Sequence, residues 1–279
     1  MGSVAPRISI CIPHWQVEQY AKPCLRSIRQ HSRDYNLEVI VVDNGSNDGS
    51  LDYLRSLDWI HLIERPEETP DNWPKNVFTA WDHGLKVATG EFYVTMHSDV
   101  FVRRDRWLDN MLAVLEKDDR IAASGAWKLE LEHPLYLWQK RVVGFATNRI
   151  KSVLGLKTAE AWKQRQYPRD YCAMYRTKTL RTHGLTFHRE GMKGGGFSIA
   201  KQIWDAGYKT GLVPVRTMAD DVFHVAHGTA ALRPEKPLNH RRAQKKVENK
   251  VSELFTEPWI QHLLNESSLD ASYRNDCAA

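Results

Sequence analysis

Two spacings of apolar residues alternate along the first part of the chain. Short apolar runs that favour buried strands occur at 8–13, 37–43, 59–64 and 91–97. Between these runs, apolar residues recur every three or four positions, which predicts helices after residue 17, after the polar turn at 44–49, and over 74–88. Strands alternating with helices predict right-handed βαβ units, and hence an α/β fold with a doubly wound, mostly parallel sheet flanked by helices.

The pattern changes in the second half of the chain. Apolar residues over 135–156 fall on one helical stripe that is interleaved with Lys and Arg. A further helix is predicted from Phe197 to Gly207, since glycine is a good C-cap. The run at 212–215 predicts a short edge strand.

The same pattern predicts how the chain is organised. We expect one domain over 1–232, with a first half at 1–127 and a second half at 128–232. A helical C-terminal tail should follow at 233–279, interrupted by Pro258. Neither an internal repeat nor a low-complexity segment changes this division.

Composition excludes several classes of protein. The chain has 279 residues, of which 42% are hydrophobic and 26% charged, values typical of a globular protein. Its apolar runs are shorter than the roughly 18 residues that a spanning helix needs. Four cysteines without paired spacing favour a reducing compartment. We therefore expect a cytoplasmic protein that could lie peripherally at the inner face of the membrane.

Asp43 ends a predicted buried strand and precedes a glycine-containing turn. In doubly wound sheets, ligands bind beyond the carboxyl ends of the strands. A carboxylate in this position can accept hydrogen bonds from a nucleobase or a ribose. The alternative is a turn in which Asp43 and Asn44 only cap the next helix, and spacing alone does not decide between the two.

Asp99 follows the fourth predicted strand and could hold a divalent cation on a diphosphate. His224 and His227, which lie just after Asp220 and Asp221, are the natural candidates to complete such a site. The alternatives are a solvated loop aspartate and structural histidines. Two histidines directly after two aspartates favour the functional interpretation.

Glycines 194–196 open the helix predicted at Phe197. They indicate either a flexible turn or a close approach of the backbone to a sugar or phosphate. The sequence contains neither a P-loop nor a G-x-G-x-x-G motif, and no G-x-S-x-G nucleophile motif. P-loop NTPases and dinucleotide-binding oxidoreductases are therefore disfavoured.

The chain resembles the family 2 glycosyltransferases, which have the GT-A fold. The resemblance rests on EVIVVDNGSNDGS at 38–50, AWDHG at 80–84, ATGE at 88–91, the strand into Ser98-Asp99, and AGYK at 206–209. It implies a nucleotide-sugar donor, with UDP, GDP or dTDP as the nucleotide, and a divalent Mn²⁺ or Mg²⁺ ion. It also implies that 1–127 is the nucleotide-binding half and 128–232 the acceptor half. By motif position, the nucleotide-binding residues would be Pro13, Trp15, Asp43, Asn44, Ser98 and Asp99. The metal ligands would be Asp99 with His224 or His227.

The sequence departs from the family pattern at two places. His97 stands where the D-x-D motif usually has its first carboxylate, which leaves one aspartate and an imidazole. The acidic pair that usually precedes the late helix falls on Gly195-Gly196. An inverting transfer needs a general base near the acceptor hydroxyl. We expect Glu190 or Asp221 in that catalytic role, ahead of Asp220.

Charge is distributed unevenly along the chain. The net charge of +5 conceals an excess of acidic residues over 1–138, where 15 Lys and Arg face 21 Asp and Glu. Residues 139–181 hold 11 basic residues against 2 acidic ones. This basic segment favours a glycan, a glycolipid or another anionic acceptor. Nucleic acid is not expected as a partner, because no nucleic-acid-binding motif accompanies the charge.

The helix predicted at 135–156 has two interpretations. With its basic residues and the neighbouring Trp138 and Trp162, it could make a peripheral membrane contact through 135–165. Alternatively it packs on the sheet with only its charges solvated, which base rates favour slightly.

Three hypotheses follow from the sequence. The leading one is a metal-dependent, inverting glycosyltransferase that transfers a hexose in the synthesis of a surface glycan or glycolipid. The second is a catalytically silent nucleotide-sugar- or glycan-binding protein, which the glycines at 195 and 196 motivate. A sugar-phosphate nucleotidyltransferase is disfavoured, because Pro13-His14-Trp15-Gln16 lacks the expected glycine and basic residues.

Overall fold

A computed structural model of the chain describes residues 5–128, 134–155, 166–191, 194–225 and 241–271. The strands are β1 (Arg7–His14), β2 (Asn36–Asp43), β3 (Ile60–Glu64), β4 (Phe92–Met96), β5 (Val100–Val102), β6 (Ile121–Gly125), β7 (Cys172–Arg176), β8 (Lys209–Leu212) and β9 (Val222–His224). The helices are α1 (Glu18–His31), α2 (Ser50–Arg55), α3 (Lys75–Val87), α4 (Asp109–Leu115), α5 (Pro134–Val153), α6 (Thr177–Thr182), α7 (Gly195–Asp205), α8 (Val215–Asp221), α9 (Arg241–Thr256) and α10 (Pro258–Asn265).

The described residues form a mostly parallel seven-stranded sheet of order β3-β2-β1-β4-β7-β6-β8. This confirms the predicted fold class. Strand β7 is the exception to the parallel arrangement, since it pairs antiparallel with both β4 and β6. Cys172, at the start of β7, therefore lies opposite Met96, at the end of β4. Residues that precede β7 consequently share a sheet edge with residues that follow the parallel strands.

Apolar clusters cover both faces of the sheet. Alternate residues of β2 enter different clusters, Val39 and Val41 one and Ile40 and Val42 the other, as the two-residue period of a strand requires. The first cluster includes apolar residues of α1, α4, α9 and α10, and the second includes residues of α3 and α7. The sheet is thus buried between two layers of helices, which fixes the positions of its strand ends.

A small second sheet follows the end of β4. Strands β5 and β9 pair antiparallel, and Val100 lies opposite His224. The amide of Val225 donates a hydrogen bond of 3.0 Å to the carbonyl of Asp99. This pairing joins residues that are far apart in the sequence at the end of β4.

The edge strand lies three residues earlier than the predicted run at 212–215. It covers Lys209–Leu212, and helix α8 begins at Val215. Pro214 explains the difference, because proline has no N–H for a strand ladder and is suited to precede or open a helix.

The C-terminal helices pack against the first helix. Arg26 is buried and forms two hydrogen bonds with the carboxylate of Asp270, of 2.8 and 2.5 Å. It also donates to the carbonyls of Leu263, at 2.9 Å, and Leu264, at 2.6 Å. The predicted interruption at Pro258 is the start of α10. The boundary at residue 232 stays a prediction, while the tail shares the core of the first cluster.

Helix α5 confirms the predicted helical segment but not its preferred packing. From residue 142 onward its apolar side chains are exposed, including Val143 at 63%, Val153 at 83% and Leu154 at 65%. The interpretation that it packs on the sheet is therefore wrong for 142–155, because an amphipathic pattern does not specify what covers its apolar side. Among the helices in the described ranges, none has the length and apolarity to cross a membrane.

Candidate functional site

Two loops interlock beyond the ends of β1 and β2. Gln16 and Val17 have φ values of 54° and 66°, which is uncommon for residues other than glycine and strained for a β-branched one. The Gln16 amide donates to Ser46 Oγ at 2.7 Å, and the Val17 amide donates to Asp48 Oδ2 at 2.8 Å. The turn after β2 thus holds the loop after β1 in this conformation.

Asp43 organises the turn from a buried position. Only 1% of the residue is exposed, and its carboxylate accepts hydrogen bonds from the Ser46 amide at 2.9 Å and the Ser46 hydroxyl at 2.5 Å. A carboxylate has about four lone-pair sites, so these bonds leave capacity for a ligand. Asp43 therefore shapes the turn and could still accept a further hydrogen bond.

Asn44 serves as an anchor for the neighbouring loop. Its Oδ1 accepts a hydrogen bond of 2.8 Å from buried Arg65, which also donates to Thr79 Oγ1 at 3.1 Å and forms an ion pair with Glu68. Arg65 connects β3 to α3 and keeps both close to the turn. Among the predicted nucleotide residues, Asn44 is thus committed to internal hydrogen bonding through its side-chain oxygen.

Pro13 and His14 are the last two residues of β1. Pro13 is buried, and His14 Nε2 lies 2.9 Å from Ser50 Oγ. Burial lowers the pKa of His14, against the opposing effect of Asp43 and Asp48. Trp15 follows in the chain and is half-buried.

His97, Asp99 and His224 form a cluster at the end of β4. One potential ligand atom from each lies within 4.8 Å of the others. Asp99 Oδ1 is 3.8 Å from His97 Nδ1 and 3.5 Å from His224 Nε2. Half-buried Ser98 lies within the same turn. His227, the other predicted ligand, lies outside the described residues.

Aromatic residues position both imidazoles of the cluster. Trp81 stacks on His97 with ring centroids 5.5 Å apart, and Tyr171 stacks on His224 with centroids 4.9 Å apart. The backbone amide of His97 donates to the carbonyl of Tyr171 at 2.9 Å. The segment that leads into β7 therefore forms one wall of the cluster.

The chemistry of the cluster fits a divalent metal ion. Burial lowers the pKa of His97, although Asp99 opposes this effect, so the imidazole is neutral near pH 7 and able to ligate. The buried His97 Nε2 has no hydrogen-bond partner among the described residues. Two imidazoles with one carboxylate suit a first-row transition metal better than Mg²⁺, which prefers oxygen ligands.

The two carboxylates predicted as general bases lie in contrasting surroundings. Asp221 is fully buried, and its carboxylate accepts from Arg104 Nε at 2.5 Å and Asn110 Nδ2 at 2.8 Å. Burial raises the pKa of Asp221, while these two side chains lower it. Glu190 is exposed on the turn before α7. Neither belongs to the cluster of His97, Asp99 and His224.

The start of α7 brings in a carboxylate that sequence reasoning missed. The Gly196 amide donates a hydrogen bond of 2.9 Å to Asp170 Oδ2. Asp170 is half-buried and directly precedes Tyr171. In the sequence, Asp170 is marked only by its place before a β-prone run. The antiparallel direction of that strand brings Asp170 near the end of β4, and the sequence does not reveal this direction.

Comparison with solved structures identifies the fold class. The chain aligns over 97% of its length with 77% of a mannosyltransferase from Pyrobaculum calidifontis in complex with GDP-Man and Mn²⁺, at TM-score 0.53 and 18% identity. It aligns over 94% of its length with 73% of S. aureus TarS 1-349, at TM-score 0.51 and 14% identity. The fold is that of the GT-A glycosyltransferases.

Sequence comparison then gives the family. The profile of "Glycosyl transferase family 2" matches residues 9–195, and the chain belongs to this family. An uncharacterized glycosyltransferase from Haemophilus influenzae is 23% identical over 198 residues, covering 66% of this chain and 56% of that protein. A dolichyl N-acetyl-alpha-D-glucosaminyl phosphate 3-beta-D-2,3-diacetamido-2,3-dideoxy-beta-D-glucuronosyltransferase from Methanococcus voltae is 29% identical over 107 residues, or 37% of this chain and 32% of that protein. The chain thus spans about half, or less, of these curated relatives.

Proposed function

We propose that this protein transfers a hexose from a nucleotide-sugar donor to an acceptor hydroxyl. The observation that carries the proposal is the cluster of His97, Asp99 and His224 beside the interlocked loops at one sheet edge. Family membership supports the same class of reaction. Nucleotide and metal would then meet where the strands β1, β2 and β4 end.

The sugar donor would lie across the ends of these strands. Asp43 supplies lone pairs for the base or ribose, and Pro13 and Trp15 supply apolar surface. Asn44 acts on the pocket by holding Arg65, and Ser98 offers a hydroxyl near the diphosphate. UDP, GDP and dTDP are the nucleotides to test, and the solved relative with GDP-Man makes GDP a necessary member of the panel.

A divalent cation would be held by His97, Asp99 and His224, with His227 as a further candidate ligand. Such an ion supplies positive charge that stabilises the departing nucleoside diphosphate. The donor set favours Mn²⁺ over Mg²⁺, because imidazole nitrogen is a softer ligand than oxygen. The solved relative that contains Mn²⁺ is in keeping with this preference.

The acceptor would be a glycan, a glycolipid or another anionic molecule. Helix α5 supports this proposal, since it exposes Val143, Phe145 and Ile150 beside Arg149 and Lys151. A helix that combines apolar exposure with basic charge suits an anionic membrane surface. We place the reaction in the synthesis of a surface glycan or glycolipid at the inner face of the membrane, with inversion at the anomeric carbon.

Thermal shift and donor turnover test the proposal together. UDP, GDP and dTDP should be screened with and without Mn²⁺, because a ligand of the folded state raises the melting temperature. Asp99→Asn should abolish the Mn²⁺-dependent part of the shift. The same substitution should also slow release of nucleoside diphosphate from the sugar donor by about 10²-fold or more, because several kcal/mol of charge stabilisation disappear.

The result also separates a silent binding protein from an enzyme. Such a protein would bind the nucleoside diphosphate with Mn²⁺ but release none from any nucleotide sugar. If the wild-type protein neither bound nor turned over any member of the panel, the proposed function would be wrong.

A further inference from the structure

We propose that Asp170 is the catalytic base of the transfer, with its carboxylate delivered from the segment before β7. This inference rests on the proposed function and deepens it, because it assigns the acceptor-side residue of the same site. It also ranks Asp170 ahead of Glu190 and Asp221, the two carboxylates that the sequence suggested.

Other side chains occupy the space beside the two glycines at the start of α7. A Cβ at Gly195 would lie 2.5 Å from Phe78 Cδ1, which excludes any larger residue there without repacking. A Cβ at Gly196 would lie 3.0 Å from Asp170 Cγ and 3.2 Å from Asp170 Oδ1. The Asp170 carboxylate thus fills the space that a side chain at position 196 would enter.

The direction of β7 brings Asp170 to the metal-binding edge. Since β7 is antiparallel to β4, the residues before Cys172 lie beside those that follow Met96. The backbone bond between His97 and Tyr171, of 2.9 Å, fixes this neighbourhood.

The local environment leaves the Asp170 carboxylate accessible to an acceptor hydroxyl. Oδ2 accepts from the Gly196 amide in the first turn of α7, where the helix dipole favours negative charge. The carboxylate keeps further lone pairs, and the residue is half-buried, so a hydroxyl can approach. Asp221, by contrast, is fully buried and held by Arg104 and Asn110.

In the proposed step, the Asp170 carboxylate takes the proton of the acceptor hydroxyl. The acceptor oxygen then forms its bond to the anomeric carbon. The bond from that carbon to the diphosphate breaks, and its electron pair leaves with the nucleoside diphosphate. The protonated Asp170 afterwards gives its proton to water, so the step needs no further reactant.

Asp170→Asn is the sharpest single substitution. The amide oxygen of Asn can still accept from Gly196, so folding and nucleotide binding should be retained while the base is lost. With water as acceptor and UDP-, GDP- and dTDP-hexoses as donors, Mn²⁺-dependent release of nucleoside diphosphate should fall by about 10²–10⁴-fold. The melting temperature and the Mn²⁺-dependent shift with the nucleoside diphosphate should match those of the wild type.

Asp205→Asn is the matched control, since it removes an exposed carboxylate at the other end of α7. It should retain turnover within a few-fold of the wild type. Wild-type turnover in Asp170→Asn, or equal losses of turnover and of nucleotide binding, would overturn the assignment. A large loss in Glu190→Gln with none in Asp170→Asn would move the role to Glu190.

A relocated carboxylate gives a second, independent test. Asp170→Gly should be as inactive as Asp170→Asn. Adding Gly196→Asp should raise turnover at least about tenfold above that of Asp170→Gly, since the acidic pair of the family pattern falls at 195–196. A folded double variant that binds nucleotide but gains no turnover would contradict the assignment. If the wild-type protein neither binds nor turns over any donor, the proposed function fails and the base assignment fails with it.

Discussion

The proposed active site has a sugar-donor side at the ends of β1 and β2 and an acceptor side at the start of α7, and the two are constructed in different ways. On the sugar-donor side, the strand-end turn holds itself, because Asp43 bonds to Ser46 three positions later. On the acceptor side, the bond between Gly196 and Asp170 joins residues 26 positions apart. A local motif therefore determines the first side, whereas tertiary packing determines the second. This difference explains why the first side can be predicted from the sequence and the second cannot.

The largest effect should come from removing the anchor of the sugar-donor side. Arg65→Ala leaves Glu68 and Asn44 without their buried cation, and breaking such a buried pair costs about 3–5 kcal/mol of unfolding free energy. Urea unfolding measures the loss. Arg55→Ala, which removes an exposed ion pair with Glu64, is the control and should change stability little. Equal effects of the two variants would show that the interlocked loops do not depend on Arg65.

The proposed metal ligands are His97, Asp99 and His224, and their chemistry can be altered. His97→Asp replaces an imidazole with oxygen and should lower the ratio of Mn²⁺ to Mg²⁺ affinity by about tenfold, because Mg²⁺ prefers oxygen ligands. Isothermal titration with each metal in the presence of nucleoside diphosphate gives the ratio. An unchanged ratio would indicate that His97 is not a ligand.

Acid should weaken the sugar-donor side through His14. Burial lowers the pKa of His14 below its ordinary value of 6.5, so above that pH it is neutral in both states and contributes no pH dependence. As the pH falls below 6.5, the unfolded chain takes up a proton first, and stability decreases by at most about 1.4 kcal/mol per pH unit. His14→Gln should flatten this part of the profile. An identical slope in both proteins would assign the acid sensitivity to other groups.

The smallest effect on stability is expected on α5. Val143→Ser should change the unfolding free energy by no more than about 0.5 kcal/mol, because the side chain is already exposed. Ile10→Ala, in the buried β1, should cost about 2–5 kcal/mol of unfolding free energy, and urea unfolding measures both variants.

The paired substitution Val143→Ser and Ile150→Ser should nevertheless weaken sedimentation with anionic phosphatidylglycerol vesicles. Undiminished vesicle binding would argue against α5 as the membrane contact.

Much of the fold was predictable because its signals are local. The β-branched runs of β1 and β2 and the capping turn between β2 and α2 are specified by adjacent residues. The direction of β7 is different, since a short apolar run reads the same in a parallel or an antiparallel strand. The exposure of α5 was missed for a related reason, because an amphipathic pattern identifies a helix but not its partner.

The candidate site divides in the same manner. Asp43, Asp99 and His224 were predicted from strand ends and spacing, and the structure brings Asp99 and His224 together with His97. Asp170 could not be predicted, because its position depends on the direction of β7 and on the two glycines of α7. The commitment of Asp221 to Arg104 and Asn110 also depends on contacts that no spacing reveals.

The contact between Arg26 and Asp270 has a consequence for how the chain reaches its native state. The two residues are separated by 244 positions, so the guanidinium of the first helix has no carboxylate partner there until the last described segment arrives. Closing so long a loop is entropically costly and is expected to come late in folding. During synthesis, the side of α1 that packs against the C-terminal helices would stay uncovered while the central sheet assembles, a stage at which aggregation competes. Packing around α1 is therefore complete only after the helices α9 and α10 have docked.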